Sequence, residues 1–116
     1  MDTVTLRQAL TAALQARDAV TVSALRSALA AIENAGAVDT RQAAQPRSGP
    51  IAGAVDGLGA AEVPRRPLGP EEVRALVAAE VEQRRAAAAE CVDLGRPDQA
   101  ERLRAEADVL AVHLRF

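Results

Sequence analysis

Residues 70–114, PEEVRALVAAEVEQRRAAAAECVDLGRPDQAERLRAEADVLAVHL, contain two helical patterns separated by a single glycine. Apolar residues recur at intervals of three and four on each side of that glycine, and charged residues fill many of the positions between them. Pro70 suits the first turn of a helix, because its missing N–H has no partner to lose there. The pattern predicts a helix over about 70–94, a stop at Gly95 and a second helix over about 97–115. So short a connection predicts an antiparallel helical hairpin.

The N-terminal part of the sequence carries a second pair of helical signals. A TLRQ motif beginning at Thr5 fits a capping box and predicts a helix over about 5–16. Asp18 is well placed to cap a following helix over about 19–35, and Gly36 suits the left-handed residue that often ends a helix. The sequence therefore predicts an all-α domain of four helices, arranged as two antiparallel hairpins.

Residues 37–69 differ in composition from both hairpins. Five of the six prolines and six of the seven glycines lie from Gly36 to Pro70, which predicts a long loop within a single domain spanning 1–116. The polar residues 39–48 are predicted to be disordered. Residues 50–63 carry enough apolar side chains to lie against the helices as a partly docked connector; a partner-binding segment is the alternative.

Composition excludes several classes of protein. A net charge of −2 argues against a non-specific nucleic-acid binder, which needs a broad basic surface. All fourteen basic residues are arginine, which we interpret as the composition bias of a high-GC bacterial genome; selection for bidentate phosphate contacts is the alternative. A single cysteine permits no internal disulfide. The sequence shows neither a signal peptide nor a membrane-spanning run, so a cytoplasmic location without membrane partners is expected.

Charged residues on the apolar faces are the main candidates for a site. Glu80 and Arg84 lie one turn apart and are predicted to pair, with Arg26 reaching across from the second helix as a structural ion network. The alternative is that Arg26, Arg84 and Arg85 form a basic strip for phosphate or for a protein partner. The full set of basic candidates is Arg26, Arg84, Arg85, Arg65 and Arg66.

Signals for catalysis are weak throughout the sequence. His113 lies near a helix end with no Ser or Cys partner at a recognisable spacing, and Cys91 lies on an apolar face. The glycines of residues 53–59 lack the preceding strand and the following Gly-Lys pair of a phosphate-binding loop. We therefore predict no catalytic residue, no metal site and no cofactor.

The order of short motifs along both hairpins resembles that of the GatB/YqeY family. In the first hairpin the resemblance rests on Ala16-Arg17-Asp18, Leu25-Arg26, Ala30-Ala31-Ile32 and Asn34-Ala35. In the second it rests on Leu68, Glu71-Glu72-Val73, Glu80, Gln83-Arg84-Arg85, Gly95-Arg96, Asp98, Ala100-Glu101, Glu106 and Leu110. The connection over 50–66 is longer and richer in Gly and Pro than is usual in that family, which suggests a specialised subgroup.

This resemblance implies a helical module similar to the helical region of the B subunit of tRNA-dependent amidotransferases. Those enzymes are carbon–nitrogen ligases that take the amide nitrogen from glutamine, and the region in question helps to hold tRNA. The expected function is a non-catalytic accessory module that binds tRNA or an amidotransferase subunit. The alternative is a protein-interaction or small regulatory domain with no tRNA role. Narrow apolar seams without aromatic residues leave a homo-oligomer open.

Overall fold

The computed structural model of the chain describes residues 1–44 and 67–115, with side chains for residues 1–37 and 67–115. Four α-helices occupy these ranges, and no strand occurs in them. The helices are α1 (Thr3–Ala16), α2 (Ala19–Ala44), α3 (Pro70–Asp93) and α4 (Pro97–His113). The predicted all-α fold of two helical hairpins is confirmed.

The first helix begins one turn earlier than the TLRQ motif predicts. Asp2 is the N-cap, and its carboxylate accepts a hydrogen bond of 2.8 Å from the backbone N–H of Thr5. The predicted capping box at Thr5 is therefore wrong, because the aspartate three residues upstream satisfies that amide first. This bond holds the pKa of the Asp2 carboxyl below its usual value.

Two residues join α1 to α2. Arg17 adopts a left-handed conformation, with φ of 56°, and ends α1. Asp18 then caps α2 as predicted, since its carboxylate accepts hydrogen bonds from the hydroxyl and the backbone N–H of Thr21, at 2.6 and 3.2 Å. The Thr21 hydroxyl, followed by the Thr21 amide, lowers the pKa of Asp18. So short a turn makes the first two helices an antiparallel hairpin.

The second helix runs past its predicted end. Gly36 is buried inside α2, which continues to Ala44, so the prediction that this glycine ends the helix is wrong. A glycine costs a helix only about 1 kcal/mol, and Gly36 lies one turn after the buried Ile32 on the same face. Residues 37–44, predicted to begin the loop, are therefore helical. The predicted disorder over 39–48 is wrong for residues 39–44. The rest of that loop up to 66 lies outside the described residues.

The second hairpin follows its predicted signals. Pro70 stands in the first turn of α3, and Glu72 accepts a hydrogen bond of 3.1 Å from the backbone N–H of Gly69. Gly95 has a φ of +73°, which an L side chain rarely adopts, and it separates α3 from α4. The backbone N–H of Arg96 donates back to the carbonyl of Cys91 at 2.7 Å, which closes the helix end.

The apolar core divides into two clusters. The larger one draws on all four helices and contains Leu6, Ala24, Leu25, Ala28, Ile32, Val73, Val77, Val81, Ala107 and Leu110. The smaller one contains only Ala88, Cys91 and Ala100, with Leu103 packed against it, so it belongs to α3 and α4 alone. None of the helices in the described ranges is long and apolar enough to cross a membrane.

Candidate functional site

A cluster of charged side chains lies between the two core clusters, where α2, α3 and α4 meet. It is built on Arg84, whose Nη1 is 2.9 Å from Oε1 of Glu80 one turn earlier on α3. The structure therefore brings together the two residues of α3 that the sequence nominated. Only 11% of the Arg84 side chain and 13% of the Glu80 side chain are exposed, so both charges lie largely out of water.

Glu106 on α4 supplies the second carboxylate. Its Oε1 accepts a bond of 3.1 Å from Nε of Arg84, and its Oε2 lies 3.4 Å from Nε of Arg102. Its side chain is 9% exposed, although the spacing of Arg102 and Glu106, one turn apart, is typical of an ion pair on the outer side of a helix. The sequence signal that could have indicated this burial is the position of Glu106 next to Ala107, which is buried on the apolar face of α4.

From α2, Ser27 reaches the cluster and Arg26 does not. The Ser27 hydroxyl donates a bond of 2.9 Å to Oε1 of Glu80. Successive helical residues are turned by about 100°, which places Ser27 beside the buried Ala24 on one flank and Arg26 beyond the buried Leu25 on the other. The predicted participation of Arg26 in the ion network is therefore corrected: it is exposed and has no ion pair within the described residues.

We refer to Ser27, Glu80, Arg84, Arg102 and Glu106 as the polar cluster. It holds two carboxylates and two guanidinium groups, so its formal charges balance, with the Arg102 side chain 60% exposed and the other three charged side chains largely buried. In the described residues, no buried side-chain nitrogen or oxygen lacks a hydrogen-bond partner. Each charge is committed to a neighbour, so this arrangement fixes how three helices fit together and offers no free nucleophile or acid.

The arginines nominated as a basic strip do not form one surface in the described residues. Arg84 is enclosed in the polar cluster, and Arg85 is exposed and lies 3.4 Å from Oε1 of Glu82. Arg26 is exposed on α2, on the flank away from Glu80. Arg65 and Arg66 lie outside the described residues. An exposed pair such as Arg85 with Glu82 contributes little stability, yet it does lower the local positive field.

A groove of about 310 Å³ lies between the start of α1, the middle of α2 and the residues before α3. It is lined by Thr3, Arg7, Ile32, Glu33, Gly36, Pro67 and Leu68. The lining is mixed: Ile32, Pro67 and Leu68 are apolar, and Arg7 and Glu33 carry one charge of each sign.

The two residues considered for catalysis, Cys91 and His113, lie in separate places. Cys91 is buried in the smaller core cluster, and His113 lies in the last turn of α4, where a positive charge is favourable. No group of three His, Cys, Asp or Glu side chains in the described ranges is arranged to hold a metal ion.

Comparison with known proteins adds no relative to this picture. No protein-family model, no curated protein and no solved structure matches the chain. The resemblance to the GatB/YqeY family rests on the sequence motifs quoted above, and what it implies stays a prediction.

Proposed function

We propose that the chain is a non-catalytic helical accessory module of the GatB/YqeY type that acts by binding a protein component of glutamine-dependent amide transfer. Two things support the proposal: the order of motifs along both hairpins and the all-helical fold that this resemblance implies. The proposed partner is an amidotransferase subunit.

The ion pairs of the described arginines favour a protein partner over tRNA. Binding of a phosphate backbone depends on arginines that are free to displace counterions. Arg84 is instead enclosed between Glu80 and Glu106, and Arg85 lies beside Glu82. The described residues of the second hairpin, 67–115, also carry a net charge of −3 with histidine neutral. A protein surface tolerates such a mixture of charges better than a polyphosphate does.

A protein-interaction or regulatory domain with no link to amidation is the second candidate. The same neutralised arginines favour it, because they argue against tRNA without arguing for an amidotransferase. The two candidates differ only in the identity of the protein partner, so a direct binding measurement separates them.

The test is a pair of titrations of the labelled full chain, one with a purified bacterial amidotransferase B subunit and one with unmodified bacterial tRNA. We expect saturable binding of the subunit with a Kd of about 1 μM or tighter. For tRNA we expect binding no tighter than about 10⁻⁵ M at 50 to 200 mM salt, roughly the non-specific level.

The control variant for the tRNA arm replaces the two exposed arginines among the described basic candidates, Arg26→Gln with Arg85→Gln. Tight tRNA binding that falls steeply with salt and is lost in this variant would refute the choice of a protein partner. Absence of subunit binding, with the chain folded by circular dichroism, would refute the link to amidation and leave the second candidate.

A further inference from the structure

The far end of the second hairpin has a small core of its own. Between Val81 on α3 and Leu103 on α4, the buried apolar residues are Ala88, Cys91 and Ala100, which form the smaller core cluster. No residue of α1 or of the described part of α2 contributes to that cluster. We call residues 86–101 the hairpin end. Within the described residues, two helices with a core of small side chains hold it together.

The apolar seam of α3 continues into the hairpin end, where α4 alone covers it within the described residues and the last seam position is exposed. The positions of that seam recur at alternating intervals of four and three, which keeps them on one stripe of the helix. They are Val73, Val77, Glu80, Arg84, Ala87, Cys91 and Leu94. Val73 and Val77 are fully buried under the first hairpin, whereas Leu94 at the other end of the stripe is 68% exposed. Leu94 is the most exposed large apolar side chain of the described residues, whereas Val92, which is 48% exposed, lies on the opposite flank of α3, because two residues turn a helix by about 200°.

Acidic residues surround this exposed end. Glu90, Asp93, Asp98 and Glu101 are exposed, and none of the four has an ion pair within the described residues. Arg96 is the one basic residue of the hairpin end, so the segment has a net charge of −3. The described part of the first hairpin, residues 1–37, has no net charge. The excess negative charge of the protein is therefore concentrated around Leu94.

We propose that the hairpin end is a docking surface for an apolar and basic helical segment of a partner protein. Leucine-like side chains of such a segment would cover Leu94, and its lysines or arginines would meet the carboxylates of the hairpin end. A second copy of this hairpin end would bring like charges together, and nucleic acid would bring phosphates to them. The inference deepens the proposed function, on which it rests, by assigning the surface that holds the protein partner.

The test uses a defined probe, a synthetic amphipathic peptide of about 18 residues, or five helical turns, with leucines on one face and lysines on the other. The matched control is the same peptide with glutamate in place of lysine. Both are titrated into the ¹⁵N-labelled full chain. We expect chemical-shift changes confined to residues 86–101 for the lysine peptide, an affinity that falls as salt rises, and no binding of the glutamate peptide.

Two variants localise the effect. Leu94→Ser should weaken binding of the lysine peptide at least about tenfold, because it removes the exposed apolar contact. Val112→Ser is the matched control, since Val112 is also exposed, at 43%, but lies on α4 away from the hairpin end. It should leave the affinity unchanged. Both side chains lie outside the core clusters, so the fold is expected to persist in each variant.

Several outcomes would overturn the proposal. They are shift changes centred elsewhere, equal weakening by both variants, equal binding of both peptides, and a dimer of the chain that Leu94→Ser dissociates. Failure of the proposed function is a separate result. If the amidotransferase subunit binds and shifts residues outside 86–101, the function stands and the hairpin end is refuted. If the peptide binds at 86–101 and the subunit does not bind, the link to amidation is refuted alone.

Discussion

Removing the guanidinium of Arg84 is expected to destabilise the protein more than any surface charge change. In Arg84→Met the side chain keeps most of its length and its apolar contacts, but Glu80 and Glu106 both lose their nearest cation. Glu80 retains the Ser27 hydroxyl, and Glu106 retains Arg102 at 3.4 Å. Arg102 is 60% exposed and well hydrated, so it compensates only in part.

The magnitude follows from two opposing terms. At an effective dielectric constant of about 20, two unit charges about 3 Å apart attract each other by roughly 5 kcal/mol. Removing water from each buried ion costs several kcal/mol, so the intact cluster contributes little net stability. When Arg84 is replaced, the cost of removing water from the two buried carboxylates remains, but their attraction to the guanidinium is lost. We therefore expect Arg84→Met to lower the free energy of unfolding by about 3 kcal/mol.

Urea unfolding followed by circular dichroism at 222 nm measures this difference directly, with an unchanged m-value as evidence that the folded state is retained. Arg85→Met is the matched control and should cost less than about 0.5 kcal/mol, because its partner Glu82 is exposed. A triple variant, Glu80→Gln with Arg84→Met and Glu106→Leu, should recover to within about 1 kcal/mol of the wild type. Equal losses for the variants at positions 84 and 85, or no recovery in the triple variant, would refute the reasoning.

Two further predictions concern the ends of the helices. The pKa of Asp18 is lower in the folded chain than its ordinary value of 3.8, so its contribution to stability is present above that value and is lost as the pH falls through the folded pKa. The melting temperature of Asp18→Asn should therefore be lower than that of the wild type at pH 7, and the difference should disappear below about pH 4. In the exposed control, Asp108→Asn, the difference from the wild type should not change with pH in this way. A difference for Asp18→Asn that stays constant with pH would contradict the role of the Asp18 carboxylate as a helix cap. Gly95→Ala should lower the free energy of unfolding by about 1 kcal/mol through backbone strain alone, since nothing lies within 4 Å of the added Cβ. Gly95→Asn, at the same positive φ, should cost less than Gly95→Ala in the same urea measurement because asparagine tolerates the left-handed conformation, and equal costs for the two variants would show that strain is not the cause.

Most of the fold could be predicted because its signals are local. Asp18 and Gly95 mark helix ends through hydrogen bonds and backbone angles that involve only nearby residues. The end of α2 could not be predicted in this way, because the modest cost of a helical glycine is offset by packing that the sequence does not display. Gly36 is buried on the same side of α2 as Ile32, and its burial depends on how the helices pack in the folded chain.

The polar cluster could be predicted only in part, for a related reason. Glu80 and Arg84 are one turn apart, so their pairing follows from helical geometry. Glu106 is 22 residues from Arg84, and its burial depends on how α3 and α4 are set against each other. The choice between Ser27 and Arg26 depends in turn on which flank of α2 faces α3. Neither fact is encoded in a short motif.

The guanidinium of Arg84 has a geometric consequence that charge alone does not convey. Its Nε and Nη1 point to carboxylates on two different helices, at 3.1 and 2.9 Å. The atoms between them are planar and rigid, so the group holds Glu80 and Glu106 at a set separation, as a spacer of fixed length would. A lysine at this position would keep the charge but would lose the spacing, since a single ammonium on a flexible stem imposes no distance between its acceptors. The position thus requires the shape of arginine as well as its charge.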